Sequence, residues 1–407
     1  METQADPGLS HQVEADLIRL CAVTVTAEER RAKIRSLLGE DLDWAYVLEM
    51  SRAHGVSSLI CFNLEVNAPD LVPQEIRKVF KARFKVNADR NLFLTQELLR
   101  LVQEFRKSGI GMIPFKGPLL AITAYGNVAL REFLDLDILV QKKDLCRARE
   151  LLARRDYLSR ASQFTESYLT SQLGCEHIRA DGRVAVELHW SLVQKWLGFH
   201  VNLEAIWAAP QQIMVGPVPV PVLPADITVL YLCAHGTKHC WNRLLWVVDV
   251  AEVLRARPEL KWGRLLTLAE SSGCQRTLFI GIHLAKILLG ASIPEHVWVR
   301  VMQDKSAVLL ARNLGEQMFL PPNEAARNRL GWGRDRFHLR TKERWSEKFV
   351  YLCQMARFVV QPSDKDRHWI HLPRQLNWLY LVLRPIRVTW QSFQAIPHGH
   401  DAYRPTK

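Results

Sequence analysis

The chain has 407 residues, 48% of them hydrophobic and 24% charged, with a mean hydropathy near zero. That balance excludes a disordered, collagenous or polytopic membrane chain and suits a globular protein of about two to three domains. Fifty-four Lys and Arg against 42 Asp and Glu give a net charge of +12, which points to an anionic partner: nucleotide, nucleic acid or membrane surface.

In residues 13–106 apolar side chains recur at helical spacing, Leu17, Leu20, Cys21 and Val25 among them. Residues 73–105 read as one long basic helix or two in series, so residues 1–108 form a predicted helical N-terminal region. The texture changes at Gly109. Residues 110–115 are a short apolar run after a Ser-Gly turn, hence a buried strand. Lys116-Gly117-Pro118 then opens a helical pattern that closes at Gly126, with Pro118 in the first turn, where a missing N–H costs nothing.

Residues 133–140 alternate apolar with acidic side chains, the period of a strand. Asp144 can cap a helix over residues 145–155, and Asp181-Gly182 joins residues 174–179 to 183–189 as a hairpin. In residues 217–222 Pro alternates with Val, which suits an edge strand or an extended linker. Helical patterns return at 226–239, 241–255, 265–271, 277–289 and 306–318. The expectation is an α+β fold: a small mixed-sheet core at 109–222 embedded between helical regions, with a helical domain at 223–320. Residues 321–407 are a basic, Trp- and Arg-rich C-terminal helical region carrying 16 basic and seven acidic residues.

Eight cysteines are scattered without a Cys-x-x-Cys pair, unlike a secreted disulfide scaffold. Residues 1–12 are polar, with no basic segment leading into an apolar one, and the most apolar stretch, 376–383, is far short of the roughly 20 residues of a membrane span. A cytoplasmic protein is expected.

The informative chemistry lies at Asp135-Leu136-Asp137. On a strand these two carboxylates face one side, about 6–7 Å apart, and repel unless a cation lies between them. Hard oxygen ligands of this kind suit Mg²⁺, although a strand with one solvated polar face has the same pattern. Upstream, Lys116 adds a positive charge at a strand-to-helix turn and Gly117 permits close approach of a ligand, an arrangement suited to phosphate. Arg131 could reach the same anion. Downstream, Glu187 lies within Val184-Ala-Val-Glu-Leu-His189, and His189 shares its strand face. His189 could contact substrate or a metal-bound water, or serve as a hydrogen-bonded structural residue.

This order of elements resembles the nucleotidyltransferase fold of the DNA polymerase beta superfamily. It is most similar to the bacterial uncharacterised nucleotidyltransferase family, through Lys116-Gly117, Tyr125, Arg131, Asp135 to Val140, and Glu187-Leu-His189-Trp190. His235, Trp241, Leu244 and Asp249 extend the resemblance into a helical half, over roughly residues 90–290. The superfamily's usual Gly-Ser is here Lys116-Gly117, and the spacing to Asp135 is longer, so Lys116 is expected to supply charge in place of a hydroxyl.

The resemblance implies transfer of a nucleoside monophosphate from an NTP to an acceptor, with release of pyrophosphate. Asp135, Asp137 and Glu187 would be catalytic and would hold two Mg²⁺ ions, while Lys116, Gly117, Arg131 and His189 would bind the nucleotide. The acceptor, a sugar, small molecule, peptide or RNA end, is not written in the sequence; similar proteins suggest bacterial cell-surface or secondary-metabolite biosynthesis. The altered turn motivates a second reading on the same scaffold, a non-catalytic NTP or metabolite sensor or a partner subunit.

Other motifs carry less. His235 and His239 share a helix face, but Cys233 and Cys240 point elsewhere and no fourth zinc ligand has a conventional spacing, so a buried or ligand-facing histidine pair is expected. Trp241, Trp246 and Asp249 suit helix-packing core more than a nucleobase platform. No Gly-x-Ser-x-Gly, Gly-x-Gly-x-x-Gly or Walker motif is present. Between residues 369 and 393, Trp and aliphatic side chains interleave with Arg374, Arg384 and Arg387. That pattern suits a helix packed on the preceding domain, or weak contact with an anionic membrane, more than nucleic-acid binding.

Overall fold

Four short helices, α1 (Gln12–Cys21), α2 (Glu28–Leu37), α3 (Trp44–Ala53) and α4 (Ser57–Asn67), precede one long helix, α5 (Gln74–Lys107), in the computed structural model of the chain. The structure describes residues 11–160, 169, 172–193, 203–320 and 332–360, and the single positions 370, 376, 379, 380, 383 and 387. Helix α5 runs unbroken because no Gly or Pro interrupts its 34 residues. Its buried stripe, Leu94, Leu98, Leu101, Val102 and Phe105, recurs at helical spacing and forms one wall of the core. Ser108 and Gly109 end it, Gly109 at φ +62°.

The sheet follows. Strands β1 (Met112–Pro114), β2 (Asp135–Val140), β3 (Tyr157–Ser159), β4 (Gly174–Arg179) and β5 (Ala185–His189) are arranged in the order β1-β2-β5-β4-β3. Helix α6 (Gly117–Thr123) links β1 to the loop before β2, and α7 (Leu145–Ala153) follows β2. Strands β2 and β5 are parallel and every other pairing is antiparallel, so the sheet is mixed, as expected. Leu136, Ile138 and Val140 of β2 and Val186 and Leu188 of β5 point into the core against α5. The alternation that reads as a strand in the sequence therefore sends the acids of β2 and β5 to the opposite face.

Two buried asparagines of α5 hold the loop that leads into β2. Asn91 donates from Nδ2 to the carbonyls of Val128 and Arg131 at 2.6 and 2.7 Å, and Asn87 donates to that of Ala129 at 2.9 Å. These bonds satisfy carbonyls that no strand partner reaches and fix where β2 begins.

After the short helix α8 (Leu203–Ala208), β6 (Gln211–Val215) pairs with β7 (Val218–Val222) as a separate two-stranded ribbon. The Pro-Val run is thus a strand. Its partner β6, largely exposed and without clear alternation, gave no strand signal of its own and depends on the pairing. Helices α9 (Ala225–Lys238), α10 (Leu244–Ala256), α11 (Trp262–Ser271), α12 (Gln275–Leu289), α13 (Glu295–Gln303) and α14 (Lys305–Gln317) complete a compact unit of residues 1–328.

The helix expected from residue 241 begins at Leu244, because Cys240 and Trp241 adopt the left-handed region, at φ +51° and +50°. The Trp241 ring lies where a Cβ on Gly236 would sit, 2.6 Å from it, so the chain turns back over its own helix. Residues 329–407 form a second unit, with α15 (Trp332–Thr341) and α16 (Trp345–Val360). No helix among the described residues is long and apolar enough to cross a membrane. The Trp- and Arg-rich stretch at 369–393 lies almost entirely outside the described residues.

Candidate active site

Asp137 on β2 stands directly opposite Glu187 on the parallel strand β5, and side chains in register on neighbouring strands share a face. His189, two residues beyond Glu187, presents its ring on that face. Its Nε2 lies 3.0 Å from Asp137 Oδ1 and 3.4 Å from Glu187 Oε2. Gly174, the antiparallel neighbour of His189 on β4, leaves room for the ring, since a Cβ there would lie 3.0 Å from Nδ1. Lys116 reaches in from the β1–α6 turn, with Nζ 3.1 Å from Asp137 Oδ2. The lysine, the histidine and two acids thus meet on one face of the sheet.

Gly117 makes the turn possible. Its φ is +48°, and a Cβ would lie 3.1 Å from the carbonyl oxygen of Asp135, so the turn is pressed against the start of β2. The sequence assigned Gly117 to close approach of a ligand; the neighbour it admits here is the protein's own backbone.

The electrostatics follow from burial. The Asp137 side chain is 1% exposed, His189 7%, Lys116 13% and Glu187 42%. Burial by itself favours a neutral Asp137, but Lys116 and the His189 hydrogen bond outweigh it and hold the carboxyl far below the usual range. Burial acts against the charged forms of Lys116 and His189 too, and Asp137 more than compensates, so both are pushed up and favour the protonated state. The Glu187 carboxyl is also lowered, by His189 against the cost of burial. Asp135 differs: burial first, then the charge of Asp137, push its carboxyl up to about 6.

One carboxylate and one imidazole nitrogen per residue from Asp137, Glu187 and His189 lie within 4.8 Å of one another, a set that could hold a metal ion. Asp137 Oδ2 adds to the fit. It is buried without a well-aligned hydrogen bond, although the Lys116 ammonium is close enough for an ion pair. Asp135 lies outside this close set, and the sequence had placed it among the ligands.

Arg131 is where the structure departs most from expectation. It was read as an anion ligand, but its Nε and Nη2 donate to the two oxygens of Asp249 on α10, each at 2.8 Å. Tyr125 donates its hydroxyl to the same carboxylate at 2.6 Å. Arg131 is 5% exposed and its guanidinium is committed to this clamp, which ties the loop before β2 to α10. A single sequence shows an Arg four residues before an acid but not the aspartate 118 residues later that claims it.

These positions, the acidic pair facing the downstream acid, Lys116-Gly117 at the turn and Arg131 joined to Asp249, are the ones that the family resemblance singled out. A model of an uncharacterised nucleotidyltransferase family matches residues 40–290. The chain belongs to that family. Nucleotidyl transfer is therefore its class of activity. The match spans the sheet, the long helix and the helices as far as the end of α12, so the carboxylate face and the Arg131–Asp249 clamp lie within it. Among curated proteins none matches the chain.

Tyr231, His235, Lys238 and His239 lie along α9 beside this face, with Trp246 against the two histidines, and the sequence had marked only the histidines and the tryptophan, without placing them at the site. Phe115 carries the contact: its ring is 5.0 Å from that of His189 and 5.1 Å from that of Tyr231 on α9. The Lys116 ammonium lies 5.9 Å from the Tyr231 ring. Cys233, by contrast, faces Gly281 on α12, so it is no companion ligand for the histidine pair.

Proposed function

We propose that the chain moves a nucleoside monophosphate from an NTP to an acceptor hydroxyl or phosphate, with residues 109–222 as the catalytic core between helical regions at 1–108 and 223–320. The register of Asp137 opposite Glu187, with Lys116 and His189 on the same carboxylate, is the observation that supports this reading most. The acceptor oxygen attacks the α-phosphorus, the bond to the bridging oxygen breaks, and pyrophosphate leaves with the electron pair. Glu187, ionised and the most open of the cluster's side chains, takes the proton that an acceptor hydroxyl loses.

Asp137 and Glu187, with Asp135 beside them, would hold the divalent ions, and carboxylates suit Mg²⁺. When bound, such ions neutralise phosphate charge and lower the pKa of the acceptor hydroxyl. Lys116 and His189 keep Asp137 ionised. The acceptor belongs to the sugars, small molecules, peptides or RNA ends, within cytoplasmic bacterial cell-surface or secondary-metabolite biosynthesis.

A second reading is a sensor or partner subunit that binds NTP without transfer. The Lys116–Asp137 contact favours it, because the acid is neutralised from within the chain. Asp137→Asn separates the two. Pyrophosphate release from a mixture of the four NTPs with Mg²⁺, across an acceptor panel, should fall by about 100-fold or more in the variant. Far-UV circular dichroism checks that its fold is intact, and Glu187→Gln, at a more exposed position, provides an independent loss. Release at the wild-type rate in both variants would refute the mechanism; NTP binding without release by the wild type would favour the sensor.

A further inference from the structure

Helix α9 turns one face toward the carboxylates. Tyr231, His235, Lys238 and His239 recur along it at helical spacing, His239 as the residue that closes the helix. The rings make a continuous path away from His189. Phe115 meets Tyr231, Tyr231 lies 5.9 Å from His235, and His235 lies 4.8 Å from His239. Trp246 of α10 closes the far end, 4.9 Å from His239 and 5.6 Å from His235.

Not every cation along this path has a contacting partner. Asp137 and Glu187 are already engaged by Lys116 and His189. Lys238 is half-buried, yet among the described residues it makes no ion pair and no side-chain hydrogen bond, and the same holds for the exposed Arg243. Burial draws the Lys238 pKa down; the charges it feels are the attraction of Glu187 and Asp137 and the repulsion of Lys116. His239 is pushed down to about 4, by burial first and then by Lys238, Lys116 and Arg243. Lys238 and Arg243 thus act with Lys116 on one imidazole, and neither of the two has a carboxylate in contact among the described residues. Desolvating a lysine without a partner is costly, and an anion bound there would remove the cost.

The backbone holds these cations in place. Trp241 donates its N–H to the Gly236 carbonyl at 2.8 Å and its indole N–H to the Thr237 hydroxyl at 3.3 Å. The left-handed pair Cys240–Trp241 thus locks the corner that carries Lys238 and His239 on one side and Arg243 on the other.

We propose that this α9–α10 corner holds the β- and γ-phosphates of the NTP, with Lys238 and Arg243 as the binding cations and His239 and Trp246 as the flanking wall. The inference rests on the reading of the carboxylate face as a nucleotidyl-transfer site, and it adds where the leaving pyrophosphate is held. Lys238 and Arg243 meet the phosphate oxygens as charged donors, and Lys116 remains with Asp137.

The test uses inorganic pyrophosphate and tripolyphosphate with Mg²⁺ as probes, titrated calorimetrically into the full chain. Lys238→Gln should weaken both by about tenfold or more, Arg243→Gln should weaken both as well, and Lys238→Arg should restore binding. In turnover, Lys238→Gln should raise the NTP KM more than it lowers kcat. Equal affinity of wild type and both Gln variants for the two probes would overturn the proposal, as would absence of binding by the wild type. Probe binding that depends on Lys238, in a protein that releases no pyrophosphate, would leave this site standing and defeat the transfer reading. Transfer with an unchanged KM in Lys238→Gln would do the reverse.

Discussion

The clamp between Arg131 and Asp249 gives the sharpest prediction, because it separates a structural arginine from a ligand-binding one. Asp249→Asn keeps the shape of the side chain and removes its charge. It leaves the buried Arg131 uncompensated, with two charged hydrogen bonds at 2.8 Å weakened and the 2.6 Å bond from Tyr125 altered. Removing one partner of a buried pair costs about 3–5 kcal/mol, and Tyr125→Phe, which deletes one hydrogen bond to a charged group, about 1.5–3 kcal/mol. Urea unfolding followed by tryptophan fluorescence reads these losses. Arg131→Met should cost as much as Asp249→Asn, and the double variant Arg131→Met/Asp249→Leu should cost clearly less than the sum of its singles, because the unpaired charge is gone. If Arg131→Met unfolds at the wild-type urea concentration and only its NTP affinity falls, the clamp assignment is wrong and Arg131 is a nucleotide ligand.

Two more perturbations follow. Gly236→Ala would place a methyl group 2.6 Å from the Trp241 ring, so it should destabilise the chain by about 1–3 kcal/mol and shift tryptophan emission; unchanged stability would mean that the ring is not seated there. His177, 1% exposed, is held neutral mainly by burial, its pKa pushed down to about 4. Between that value and about 6.5 the unfolded chain binds the extra proton, so stability is full above this range and falls as the pH drops through it. His177 alone should remove about 2 kcal/mol between pH 6.5 and 4.5, and the slope should flatten in His177→Gln; a wild-type slope in that variant would contradict the assignment.

Much of the framework was legible in the sequence because it depends on local rules. The acidic-apolar alternation from Phe133 to Val140 requires a strand with one polar face, and Asp181-Gly182 requires a tight turn, so Asp135 and Asp137 could be assigned to one strand face and Glu187 and His189 to a face of another strand. The uninterrupted helical period of α5 and the Ser-Gly stop after it were equally local. Strands β3 and β6 were not legible: three and five residues carry too little periodicity, and their strand character comes from the partner they pair with.

The site divides the same way. Residue types and strand period by themselves determined that Asp135 and Asp137 share a face and that Glu187 and His189 share another. Only the tertiary structure decided that β2 and β5 lie side by side in parallel, which brings Asp137 opposite Glu187. It also decided which cation meets which acid. Lys116 joins Asp137 and Arg131 joins Asp249, leaving Lys238 and Arg243 without an acidic partner among the described residues. Charge pairing depends on through-space distances of a few ångströms between side chains up to 118 residues apart, and the strength of each pair depends on how completely the fold removes it from water. Neither distance nor burial is written in the local order of residues.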